Sequence, residues 1–166
     1  MRSYLDTQGH WRDYAAVYRA AIASVHRLGN PLALVRVHRG LGRALCRVAE
    51  WEEAERVVRL AAAFALRSGD RTQQAHCEEA LSAMYTARGM HELALEHATA
   101  STRLHPGDDG AWFASSFALR ARCLAALNEF DATLAATTEA LYLHRTLVPR
   151  DETGDRLVRG AQPRSV

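Results

Sequence analysis

The chain contains no lysine; all 21 of its basic residues are arginine. Every cationic contact it makes therefore comes from a planar guanidinium fork, suited to carboxylates and phosphates, and none from a compact ammonium. Cysteine is sparse as well. Cys46, Cys77 and Cys123 are odd in number, widely spaced and without a C-x-x-C pair. That excludes a disulfide framework and argues against a structural zinc site. The three thiols are expected reduced, as small packed hydrophobes in a cytoplasmic protein. Arg43 and Arg47 flank Cys46 and are expected to lower its pKa, the one basis for a redox role. Aromatics make up 7% of the residues, and the arginines lack the interleaved rings that stack nucleic-acid bases. No apolar run has the length of a bilayer span, and the opening Met1-Arg2-Ser3-Tyr4-Leu5 has no apolar signal region. A formal charge of +2 is too small to imply a nucleic-acid partner by itself.

Catalytic signatures are missing too. There is no G-x-x-x-x-G-K-[ST] loop and no G-x-S-x-G elbow. Gly40-Leu41-Gly42 lacks the third glycine and the preceding strand of a dinucleotide site. Its second glycine instead suits a close helix crossing. His91-Glu92 with His97 resembles a zinc-protease pair, but the second histidine falls about 120° out of phase on a helix. His76 and Cys77 are neighbours that point to different faces. No enzyme activity, cofactor or metal is expected.

What the chain does have is a period of about forty residues, the mark of stacked helix pairs. Leu41-Gly42-x-x-Leu45 with Trp51-Glu52-Glu53-Ala54 aligns with Leu81-Ser82-x-x-Tyr85 and His91-Glu92-Leu93-Ala94. A third copy reads Arg120-Ala121-x-x-Leu124 with Phe130-Asp131-Ala132-Thr133. Each copy closes on a small residue, Ala61, Ser101 or Ala140. Apolar spacing is helical throughout, and 48% apolar content supports a continuous core. Turn signals at Gly29-Asn30-Pro31, Gly69-Asp70, Gly89, Pro106–Gly110 and Asn128 divide the chain. The predicted helices are 13–28, 32–48, 51–67, 71–88, 91–104, 111–127 and 130–147. Residues 1–8 read as the end of an earlier helix, and 149–166 as a mostly disordered tail.

This pattern resembles the tetratricopeptide repeat. The middle unit carries it best, with Leu81, Tyr85, Gly89, Ala94, Ala98 and Pro106 at the motif offsets. The preceding unit supplies Leu41, Gly42, Leu45, Ala54, Val58 and Ala61. The third has Asn128 for the glycine and Thr133 for the crossing alanine. A partial copy at the start holds Leu5, Gly9, Trp11, Tyr14, Tyr18 and Ala21, where Tyr14 departs from the small-residue rule. The resemblance implies an all-α, right-handed α-solenoid over 1–148, with a partial repeat at 1–30 and repeats at 31–70, 71–110 and 111–148. Units of about forty residues ending in Gly-Asp are similar to the repeats of actinobacterial NB-ARC-type transcriptional regulators. Arginine without lysine, and abundant alanine, suit the high-GC genomes of that group.

In such repeats the first helix of each pair lines a concave face. That places Arg36, Arg39, Arg43 and Arg47 on one stripe, with His76, Glu79 and Arg122 following from later units. The functional reading is an anion-attracting groove for a protein or peptide partner with acidic character. Farther along, at Ala83, Ala87, Ala118, Ala125 and Ala126, the groove is small and neutral. The alternative is a solvated face balanced by Glu50, Glu52, Glu53, Glu55, Glu78 and Glu79. The carboxylate clamp of some chaperone-binding relatives is not supported, since Ala80, Ser115 and Leu119 stand at its offsets. Two further readings stay open: a phosphate or nucleic-acid binder built on the arginines, and a self-association scaffold. The latter would use an N-terminal edge of Leu5, Trp11, Tyr14 and Tyr18.

Overall fold

A computed structural model describes residues 10–104 and 110–147. Leu5, the 1–8 segment, the turn at 106–109 and the tail at 149–166 lie outside the described residues. The described chain is all-α: α1 (Trp11–Leu28), α2 (Pro31–Arg47), α3 (Trp51–Arg67), α4 (Arg71–Ala87), α5 (His91–Leu104), α6 (Gly110–Ala126) and α7 (Phe130–Leu147), with no strand. Helix ends fall within two residues of those predicted.

The turns follow from a few side chains. Gly29 takes a left-handed conformation (φ 62°), Asn30 caps α2 by accepting the Ala33 N–H at 3.0 Å, and Pro31 occupies the first turn. Asp70 caps α4 in the same way, accepting the Gln73 N–H at 2.9 Å. Asn128 is left-handed at φ 62° where the preceding unit has a glycine. The unexpected member is Ala49, which adopts φ 61° between α2 and α3 with no glycine to ease it.

Short turns send each helix back along its predecessor. Arg71 at the start of α4, for example, donates to the Arg103 and Leu104 carbonyls at the end of α5. The crossings use the repeated small residues. Ala54 and Ala94 are fully buried. Gly42 sits against α3 so closely that a Cβ there would lie 2.3 Å from Val58 Cγ2. At the equivalent place in the next unit, Ser82 Oγ donates to the Ala94 carbonyl at 2.7 Å. One cluster of buried residues runs from Tyr14 through Leu41, Leu45, Leu81, Met84 and Tyr85 to Leu119 and Cys123.

Each helix packs on its neighbours in sequence. Beyond that, the backbones of α2 and α4, and of α4 and α6, come together among the described residues, while α1 and α3 meet through side chains alone, Arg19 with Glu53 and His26 with Phe64. Tyr14, out of place by the small-residue rule, is nonetheless buried. Its hydroxyl lies 3.0 Å from that of Tyr18 and accepts a hydrogen bond from Arg43 at 3.0 Å.

Candidate functional site

Because α2, α4 and α6 touch in series, their common face forms an open cleft of about 1140 Å³. The arginine spacing on α2 puts Arg36, Arg39, Arg43 and Arg47 along one wall. α4 contributes His76, Glu79, Ala80, Ala83 and Ala87, and α6 contributes Trp112, Ser115, Ala118, Leu119 and Arg122. The seven groove residues named from the sequence thus share one cleft. Ala83, Ala87 and Ala118 line it as well, whereas Ala125 and Ala126 do not.

The electrostatics differ from the expectation of a face balanced by glutamates. Glu50 and Glu53 hold Arg19 at 3.3 and 2.7 Å. Glu55 pairs with Arg59 and Arg88 and accepts the Tyr85 hydroxyl at 2.8 Å. Glu78 bonds His97 at 2.7 Å. These four carboxylates are engaged away from the arginine stripe. Glu79 bears on it: it accepts the Ser115 hydroxyl at 2.8 Å and feels the charge of Arg39. Burial raises its pKa above the ordinary carboxylate value, against the opposing pull of Ser115 and Arg39.

The arginines differ among themselves. Arg39 donates to Gln73 at 3.4 Å, Arg43 to Tyr14, and Arg47 lies over the Trp11 ring at 4.8 Å. Arg36 and Arg122 are exposed and form no ion pair with any described residue.

Two expectations are corrected here. The arginines were read as lacking neighbouring aromatics, yet Trp11, Tyr18 and Trp112 stand on the cleft wall, brought there from α1 and α6. Trp112 packs on the His76 ring at 4.4 Å. Its helical spacing to Ser115, Leu119 and Arg122 is the signal that could have found it. Cys46 is the second correction. Arg43 and Arg47 do not activate it; burial pushes its thiol up to about 11, and Cys77 up to about 12.

The three described residues of the N-terminal edge pack on the core. Tyr14 is buried, and Trp11 and Tyr18 are half-buried against the core. The Tyr18 ring fills the space beside Gly40, where a Cβ would fall 2.2 Å from it. Of those three rings, Trp11 and Tyr18 still border the open cleft. Ala80, Ser115 and Leu119 line the cleft, where a carboxylate clamp would need polar or basic groups.

No group of three or more His, Cys, Asp or Glu side chains among the described residues is placed to hold a metal. No described helix is long and apolar enough to cross a membrane. No family model matches the chain, and no curated protein matches it.

Proposed function

We infer that the protein is a non-enzymatic binding module of tetratricopeptide type, and that its cleft takes an acidic peptide or the acidic face of a partner helix. One observation carries this reading: Arg36, Arg39, Arg43, Arg47 and Arg122 share a cleft with Glu79, while Glu50, Glu53, Glu55 and Glu78 pair with other basic side chains. Like charges along one helix face repel by a few tenths of a kcal/mol per pair, and an anionic occupant relieves that. The serial backbone packing of α2, α4 and α6 supports a solenoid whose inner row is the binding face. A preformed groove then binds by shape and charge with little ordering cost. The length and endings of the repeat support a place as the partner-binding arm of a cytoplasmic bacterial regulator.

A second reading gains from Trp11 and Trp112. Rings beside guanidinium groups suit single-stranded nucleic acid, whose bases stack on them. Against it, Trp11 is already covered by Arg47 and Trp112 already packs on His76.

Fluorescence anisotropy with a labelled poly-glutamate peptide, a neutral peptide of equal length and a labelled oligonucleotide separates the readings. The acidic peptide should bind and the neutral one should not. Arg36→Glu/Arg122→Glu should weaken the acidic peptide about tenfold or more, from two reversed charges each worth up to about 1 kcal/mol. Far-UV circular dichroism should stay unchanged. Equal affinity for wild type and double variant removes the cleft as the site. Preferential oligonucleotide binding with a steep salt dependence selects the second reading.

A further inference from the structure

Four large apolar side chains stand exposed on α7. Phe130 is 71% exposed, Leu134 69%, Leu141 51% and Tyr142 62%. Helical spacing puts Phe130, Leu134 and Leu141 within about 40° of one another around the helix. The internal repeat identifies the face. Phe130, Leu134, Thr137 and Leu141 correspond to Trp51, Glu55, Val58 and Ala62 of α3, and to His91, Leu95, Ala98 and Thr102 of α5. All eight of those counterparts are buried or half-buried. There the covering element is the next helix: α4 packs on α3, and α6 on α5. Among the described residues α7 packs on α6 alone, so its row stands open while carrying larger apolar side chains than most of its counterparts.

The row is also self-complementary. Asp131 lies in the first turn of α7, and His144 and Arg145 in the last. Asp131 and Arg145 are exposed and form no ion pair with a described residue. Two copies of α7 laid antiparallel, with the two-fold axis between Thr137 and Thr138, bring Leu134 against Leu141 of the second copy. The same register sets Phe130 against the second copy's Arg145, a cation–π arrangement, and brings Asp131, on the same flank and one residue along, within reach of that arginine. The short threonines at the axis let the helices approach closely. A parallel pairing instead stacks like charges at both ends.

We propose that the open row of α7 is a homodimerisation surface, occupied by α7 of a second copy in antiparallel register. One helix pair buries less than a standard interface, so dissociation falls in the micromolar range.

Sedimentation equilibrium on the full chain should give a mass rising from 18.4 kDa towards twice that value as concentration increases to several hundred micromolar. Leu134→Glu should weaken association at least tenfold with helicity unchanged. Asp131→Arg and Arg145→Asp should each weaken it, and the double variant should recover it. Thr137→Cys, made in a Cys46→Ser background because Cys46 is only half-buried, should form an intermolecular disulfide on mild oxidation, since Cys77 and Cys123 are buried. A wild-type mass that stays at 18.4 kDa throughout overturns the proposal, whether the face is bare or covered by residues 148–166. So does a dimer indifferent to Leu134→Glu, or the absence of the Thr137→Cys cross-link.

Discussion

Ala49 marks where one residue works against its backbone. A left-handed alanine costs about 1–2 kcal/mol relative to the right-handed form, and glycine removes that cost while adding freedom to the unfolded chain. Ala49→Gly should therefore stabilise the fold by about 0.5–1 kcal/mol, read as a higher urea midpoint with an unchanged slope. His38 works against its charge. It is buried, its Nδ1 faces the Leu34 carbonyl at 2.8 Å, and burial lowers its pKa, with the nearby His26 adding to the effect. The unfolded chain then binds the proton more readily than the folded one. Stability tied to His38 is present above the ordinary histidine value and declines as pH falls towards the depressed one. His38→Gln should flatten that part of a melting-temperature profile. Glu79 has the opposite sign. Its raised pKa means that ionising it opposes folding, so Glu79→Gln should raise the melting temperature near neutral pH. The gain should fade in acid, where the wild-type carboxyl is protonated.

At the level of helices, the crossings were legible in the sequence because small residues recur at fixed offsets. Ala54, Ala94, Ala61 and Ser101 are all buried where their spacing placed them. The turn at Ala49 was legible only by its period, since local turn chemistry gives no sign of it. Ion pairing was not legible at all. Glu50 and Glu53 reach Arg19 on a different helix, and linear order says nothing about which of several arginines a glutamate meets. Gly42 and Val58 share one space at the α2–α3 crossing. Gly42→Ala alone should destabilise by about 1–3 kcal/mol through overpacking. Adding Val58→Ala should return part of that loss in a double-mutant cycle, because the clash disappears. If the two effects simply add, the close approach is not what demands a glycine.

Across the whole molecule, periodicity revealed which helix faces are inward, and hence the arginine row on α2. It did not reveal Trp11 or Tyr18 on the same cleft, because those rings reach it from α1, outside the inner row, while Trp112 shares the helical spacing of Ser115, Leu119 and Arg122. Nor did it reveal the fate of Cys46, which depends on how deeply packing buries a side chain and not on its charged neighbours. Among the described residues, contacts reach no farther than two helices along the chain. Packing this local makes the number of helix pairs adjustable. Duplicating 51–90 in register should lengthen the protein by one step, add a further segment of channel floor, and leave the original arginines at their old spacing.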